Sequence, residues 1–290
     1  MTPLRYDVVD VFTDRAYAGN PLAVVHGGHD LTTAQMQAIA GEFHLSETVF
    51  PLPPTGDADY RVRIFTPGRE LPFAGHPSVG AAWVLARDGL SGRGDVVQEC
   101  GAGLLPVRVD EYGALVTGGP PEVGPALDGA ALAAALGLSP DDVHAAVPAG
   151  VAGAGVPFAF LAVHPDAVAR AVPDAAAVRS FTDGLVGVAV VAFDAAGSAA
   201  HMRMFAPDVG VAEDPATGSA AVALAVFLVD RGVLAADGQT GFTVAQGAEI
   251  GRPSTLGVLV HADAGAAVRT SVWGTVTAVA RGELVALPPV

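Results

Sequence analysis

Glu213-Asp214-Pro215-Ala216-Thr217-Gly218-Ser219-Ala220 is a turn of acids, proline and small residues that runs straight into an apolar stretch, Ala220 to Val229, closed by Asp230-Arg231-Gly232. A helix apolar on every face must be surrounded by protein or lipid, and these ten residues are far short of the ~20 that span a bilayer. The remaining solution is a helix enclosed by curved sheet.

An earlier stretch reads the same way. Gly75-His76-Pro77-Ser78-Val79-Gly80-Ala81-Ala82 continues through the apolar residues to Ala86 and stops at Asp88-Gly89. Upstream of each stretch lies another repeated word, Arg63-Ile64-Phe65-Thr66-Pro67 and Arg203-Met204-Phe205-Ala206-Pro207. The offsets are 140 and 138 residues, a two-residue gap, which aligns His76 with Asp214. Two copies are too few for a solenoid and imply two similar halves, each a sheet around its own helix.

The intervening elements fit this plan. Strand-like runs cover Tyr6–Phe12 and Pro21–Val25 on either side of an Ala18-Gly19-Asn20 turn. Met36, Ile39, Ala40 and Phe43 recur at helical spacing, so Thr33 to His44 reads as a helix capped by Thr32 or Thr33. Leu45-Ser46 ends it and delivers Glu47 into the apolar strand Thr48-Val49-Phe50, and Tyr60–Phe65 alternates as a half-buried strand does. Gly118-Gly119-Pro120-Pro121 is the candidate boundary between halves. Ser139-Pro140-Asp141-Asp142 is a helix start. His164 to Val172 and Pro173 to Phe181 read as short helices, and Leu185–Phe193 as a buried strand.

Composition removes several enzyme classes. There are 15 basic and 30 acidic residues, a formal charge of −15, which disfavours nucleic acid and anionic membrane as partners. Every basic residue is Arg, so a lysine Schiff base and the lysine of a phosphate loop are impossible. The single Cys100 excludes an internal disulfide, a redox pair, a cysteine zinc cluster and a two-thiol racemase, and reads as a small passive hydrophobe. Eight scattered His give no pair at helical metal-ligand spacing, and neither a dinucleotide fingerprint nor a nucleophile elbow is found. The opening residues lack a signal-peptide layout, so a soluble cytoplasmic protein is expected.

What is left is acid/base chemistry at helix starts. First-turn N–H groups have no intrahelical partner and carry the positive end of the helix dipole, so they hold a carboxylate without any lysine. Gly75, Gly80 and Gly218 would let a ligand approach the backbone, or would simply allow tight packing. His76 and Asp214 stand beside these turns in non-identical copies, as asymmetric acid/base roles require. The apolar residues after Glu47 would favour its use as a general base, although a glutamate at a strand start is also commonly just solvated. Arg63 and Arg203, on repeated strands, read as structural ion pairs.

Taken together, Asp10-Val11-Phe12, Gly19-Asn20-Pro21-Leu22-Ala23-Val24-Val25, Leu45-Ser46-Glu47-Thr48-Val49-Phe50, Arg63-Ile64-Phe65-Thr66-Pro67, Glu70-Leu71-Pro72-Phe73-Ala74-Gly75-His76-Pro77, the Glu213–Ala220 word and Gly251-Arg252-Pro253-Ser254 resemble the PhzF-like family of the diaminopimelate-epimerase-like fold. The resemblance runs over nearly the whole chain. It implies an α+β protein of two pseudo-symmetric domains, each a barrel-like, mostly antiparallel sheet around a central apolar helix. The expected halves are residues 1–118, joined by a returning strand at 278–290, and residues 119–277, with the active site in the cleft between them.

The resemblance further implies a homodimer, no cofactor, no metal, and an isomerase that shifts a proton on a small conjugated carboxylic acid. The family's acid/base residues fall on Glu47, His76 and Asp214. Ser219 with nearby backbone N–H groups would hold the substrate carboxylate, the helix-start residues Gly75, Pro77, Ser78, Thr217 and Gly218 lining the same site. Two alternatives stay open: an isomerase of another natural-product or amino-acid-derived intermediate, and a catalytically silent relative that binds an aromatic acid.

Overall fold

The computed structural model describes residues 3–289. The chain divides into two compact units, one formed by the residues up to Thr117 together with those from Trp273 onward, the other by Gly118–Val272. The first break falls at the head of the Gly118-Gly119-Pro120-Pro121 cluster.

The first unit contains β1 (Leu4–Val11), β2 (Asn20–Val25), α1 (Thr33–Phe43), β3 (Glu47–Leu52), β4 (Tyr60–Phe65), β5 (Glu70–Leu71), α2 (Gly75–Arg87), β6 (Gly94–Cys100), β7 (Gly103–Val109) and β8 (Gly113–Thr117). The chain's last strand, β17 (Ala266–Leu284), enters this unit at Trp273. Pairing runs β17, β1, β2, β3, β4, β6, β7, β8 and back to β17, so eight strands close a barrel without a free edge. The pairs β2/β3 and β4/β6 are parallel, and each needs a crossover, supplied by α1 and α2.

Local chemistry sets the ends of these elements. Thr32 Oγ1 accepts the Gln35 N–H at 3.2 Å while Gln35 Oε1 accepts the Thr32 N–H at 3.0 Å, a reciprocal cap that starts α1. His44, with a left-handed φ of 51°, ends it and turns the chain into β3. Ten of the 13 residues of α2 are buried, and the helix packs against strands on several sides of its barrel. A Cβ on Gly80 would lie 2.5 Å from Leu22 Cδ2 and 3.0 Å from Val11 Cγ2. Gly80 therefore serves the close approach of α2 to β1 and β2, and the ligand-approach reading of this glycine is corrected to a packing one.

The second unit contains β9 (Pro121–Ala126), α3 (Gly129–Ala135), β10 (Gly150–Ala154), β11 (Pro157–Ala162), α4 (Pro165–Val168), α5 (Ala175–Arg179), β12 (Val188–Asp194), β13 (Ala199–Ala206), β14 (Val211–Asp214), α6 (Gly218–Asp230), β15 (Gly238–Gln246) and β16 (Ser254–Asp263). Its strands pair in the order β9, β10, β11, β12, β13, β15, β16, with β11/β12 and β13/β15 parallel. The alternation matches that of the first barrel, and β14 rides on β13 as β5 rides on β4. Every residue of α6 except Ser219 and Asp230 is buried, as a helix without a polar face must be.

Three expectations change here. The helices over 164–172 and 173–181 shrink to the single turns α4 and α5: the first ends at Val168, and the second starts only after Asp174, which caps it by accepting from Ala176 and Ala177 N–H. Ser139 caps a single 3-10 turn, Pro140–Asp142. The third change is the alignment of the copies. Ile64 pairs with Leu71 and Met204 with Asp214; Arg63 bonds Glu70 and Arg203 bonds Glu213. Both central helices are 13 residues long and start at Gly75 and Gly218. Asp214 therefore corresponds to Leu71, and the partner of His76 is Ser219. The second copy is three residues longer between its strand and its turn, a length taken up by the 3-10 turn Pro207–Val209 and Gly210 at φ 82°.

Candidate active site

In the first unit the parallel pairing of β2 with β3 sets Glu47 beside Leu22, at the point where the chain enters the sheet. Ser46 Oγ donates to Asn20 Oδ1 at 2.9 Å and ties this entry to β2. His76 is the second residue of α2. Its Nδ1 lies 3.5 Å from Glu47 Oε2, with the two side chains only 6% and 16% exposed. Burial pushes the imidazole down to about 3, against the opposing pull of a hydrogen bond to the Pro21 carbonyl, so His76 is neutral at ordinary pH. Its Nε2 is buried and has no hydrogen-bond partner among the described residues. A buried nitrogen left unsatisfied beside a carboxylate is costly to the fold and suited to a ligand.

The intrahelical ladder of α2 begins with Ser78 N–H donating to Ala74 C=O at 3.3 Å, which leaves the N–H groups of Gly75 and His76 ahead of it. Pro77 has no N–H. The Ser78 hydroxyl donates to Ala74 C=O at 2.9 Å and accepts from Gln98 Nε2 at 2.9 Å, and Ser78 is fully buried. Ser78 thus serves the helix start rather than a ligand.

In the second unit Asp214 ends β14 and is 8% exposed. Thr217, the residue before α6, donates its hydroxyl to Asp214 Oδ2 at 2.5 Å. The first helical bond of α6 is Ala221 N–H to Thr217 C=O, so Gly218, Ser219 and Ala220 present their N–H groups at the helix tip, beside the half-buried Ser219 hydroxyl. A residue that no motif announced holds this turn. Gln246, at the end of β15 and 1% exposed, accepts the Thr217 N–H at 3.1 Å and donates to the Asp214 carbonyl at 2.8 Å and to Thr217 Oγ1 at 3.1 Å. Ser254 Oγ donates to the Pro215 carbonyl at 3.0 Å. A lone glutamine in a strand carries no sequence signal, although the burial of β15 on alternate residues could have marked it as inward-facing.

The repeated Arg words are structural, as their placement on strands predicts. Arg63 forms a fork onto Glu70 (2.7 and 2.6 Å) and Arg203 onto Glu213 (2.8 and 2.8 Å); each guanidinium lies 5.1 Å from the ring centre of the phenylalanine two residues on, Phe65 and Phe205. Asp7, His26 and Asp88 also converge within metal-ligand range. Asp7 Oδ1 already accepts Arg87 Nη2 at 2.7 Å and Arg281 Nε at 2.8 Å, so this cluster is an ion network joining β1, α2 and β17.

The phenazine biosynthesis-like protein family, PhzC-PhzF, matches residues 9–282. The chain belongs to this family. It is a PhzF-like isomerase: it is 35% identical over 287 residues to the trans-2,3-dihydro-3-hydroxyanthranilate isomerase of Pseudomonas chlororaphis, with 97% of this chain and 99% of that one covered. It is 36% identical over 304 residues to an uncharacterized isomerase of Mesorhizobium japonicum, covering 98% and 99%. Among solved structures, the Bacillus anthracis phenazine biosynthesis protein of the PhzF family superposes with a TM-score of 0.89 at 26% identity, covering 99% of this chain and 100% of that one. An Agrobacterium radiobacter probable proline racemase, at 14% identity and TM-score 0.66 over 97% and 92% of the chains, shares the fold alone. An isomerase of this family acts on a small-molecule substrate. No helix among the described residues is long and apolar enough to cross a membrane.

Proposed function

We propose that this PhzF-like isomerase moves a proton between two carbons of a small conjugated carboxylic acid, with Glu47 as the base, His76 as a neutral imidazole that hydrogen-bonds the substrate, and Asp214 acting on the same substrate. Glu47 takes a proton from a carbon made acidic by the neighbouring unsaturated carboxylate. The C–H electron pair enters the conjugated system and the double bond migrates. Glu47 then returns a proton to a second carbon. Nothing is oxidised or reduced, and the step balances with Glu47 alone as the proton carrier. The N–H groups of Gly75, His76, Gly218 and Ser219, with the Ser219 hydroxyl and the turn residue Thr217, would steady the carboxylate and the charge that builds up on it.

The observation that carries this reading is the Glu47–His76 contact: a carboxylate within 3.5 Å of a neutral, deeply buried imidazole at the tip of an enclosed helix. The names of the relatives support an anthranilate-like substrate. The protein is incubated with trans-2,3-dihydro-3-hydroxyanthranilate in deuterium oxide and followed by proton NMR. Conversion with at most one deuterium entering a carbon position is expected; absence of both conversion and exchange counts against the reading. In line with the family resemblance, we take the working form to be a cytoplasmic homodimer, which sedimentation analysis of the purified protein checks for its oligomeric part.

A further inference from the structure

The start of α2 is poorly secured by its own residues. Ala74, the residue before it, has no side-chain oxygen to cap the helix, and Pro77 brings no N–H to the first turn. The backbone bond that closes the turn, Ser78 N–H to Ala74 C=O, is long at 3.3 Å. A second bond to the same carbonyl comes from the Ser78 hydroxyl at 2.9 Å. A carbonyl can only accept, so the Ser78 hydrogen goes there and the Ser78 oxygen accepts from Gln98. The Gln98 atom at 2.9 Å is therefore Nε2, and Oε1 is turned to the Tyr60 hydroxyl, which donates to it at 3.3 Å. The hydrogens run one way, from Tyr60 on β4 through Gln98 on β6 to the turn that contains His76.

We infer that Tyr60, Gln98 and Ser78 are positioning residues for the reaction: their hydrogen-bond chain roots the first turn of α2 in the barrel wall and so holds His76, with the leading N–H groups of Gly75 and His76, in place. This inference deepens the proposed function and rests on His76 and the α2 tip belonging to the reacting site. All three side chains are buried, at 3% exposure or less, so they act through the turn rather than on the substrate.

The duplicated unit shows that the fold does not require this chain. β4 pairs with β6 as β13 pairs with β15, Tyr60 opposite Gln98 and Ala200 opposite Val244. Ser78 and Ala221 each close the first turn of their helix, bonding the carbonyls of Ala74 and Thr217. Tyr60, Gln98 and Ser78 therefore correspond to Ala200, Val244 and Ala221, which are equally buried. A sheet of the same design thus packs on its helix with alanine and valine at these positions. Burying an amide and two hydroxyls brings little net stability over apolar groups of matching shape, because their bonds to water are given up. What a satisfied polar set adds is a single fixed arrangement. The second unit secures its turn by another route, from Gln246 onto the Thr217 N–H and the Asp214 carbonyl. Both helix starts are tied to a buried strand glutamine, from positions that do not correspond.

Ser78→Ala and Tyr60→Phe each remove one oxygen atom and barely change volume, so a packing role predicts no effect from either. The positioning role predicts two. In the free enzyme, amide hydrogen exchange at position 78 should quicken at least about tenfold in Ser78→Ala, as the turn loosens. Conversion of trans-2,3-dihydro-3-hydroxyanthranilate by that variant should slow by about 10- to 100-fold. The loss should fall on kcat rather than KM, because a group out of place costs the transition state more than the bound substrate. Tyr60→Phe leaves the Gln98–Ser78 and Ser78–Ala74 bonds standing and should show both effects in smaller measure. Parental kcat in Ser78→Ala, or a loss confined to KM, overturns the inference. Should Ser78→Ala not fold, Tyr60→Phe decides by the same two readouts, and parental values in both overturn it. Absence of turnover by the parent protein would instead sink the proposed function, and the exchange rates alone then decide whether the chain holds the turn.

Discussion

His76 Nδ1 stands 3.5 Å from Glu47 Oε2, longer than a good hydrogen bond and shorter than a water-bridged gap. With burial holding the ring neutral, the pair is a carboxylate beside a neutral imidazole rather than an ion pair. A charged His76 would bind the carboxylate and quench it as a base.

That neutrality has a stability consequence. The folded His76 titrates near 3, below its ordinary 6.5. Between those values the unfolded chain binds a proton that the native state refuses, so stability is full above about 6.5 and falls as the pH drops toward 3. Urea unfolding from pH 7 to 4 should show the parent losing up to about 1.4 kcal/mol per pH unit more than His76→Gln. Parallel slopes for the two proteins would mean that His76 is charged in the fold.

The two forked arginines should not be equivalent. Arg203 and Glu213 are 9% and 10% exposed, and Arg203 Nη1 also donates to the carbonyls of Val168, Ala169 and Ala171. Removing it leaves a buried acid and three carbonyls without their donor, so Arg203→Ala should cost about 3–5 kcal/mol. Glu70, the partner of Arg63, is 38% exposed, and Arg63→Ala should cost about 1 kcal/mol or less from the lost ion pair. Denaturant midpoints of the two variants check the contrast.

Gly80→Val tests the packing reading of that glycine. Leu22 and Val11 are fully buried and have no room to retreat, so overpacking should cost about 2–3 kcal/mol. Thermal unfolding reads the loss. Parent stability in this variant would reopen Gly80 as a point of ligand approach.

Much of this architecture could be read in the chain because burial leaves a pattern. The run Ala220 to Val229 has no polar face and is enclosed, and Thr32 caps α1 through Gln35. Glu47 is the first residue of its strand. The register between the copies was not legible. Gly, Ala and Pro match one another at several offsets, and the turn Pro207–Val209 absorbs three residues that spacing alone cannot assign. The charged fork of Arg203 with Glu213 carries the true register, because a salt bridge, unlike a small residue, has one geometric partner. Gln246 stayed invisible for a different reason: its role lies in three hydrogen bonds to a turn some 30 residues away in sequence.

The central claim is that Glu47 moves the proton. Glu47→Gln keeps the size and the hydrogen-bonding reach of the side chain and removes the base. Rates of conversion of trans-2,3-dihydro-3-hydroxyanthranilate by the parent and by Glu47→Gln, with binding of the same acid measured by calorimetry, test it directly. The account predicts a rate loss of at least about 10²–10⁴-fold with near-parental affinity. Parental turnover by Glu47→Gln would contradict it.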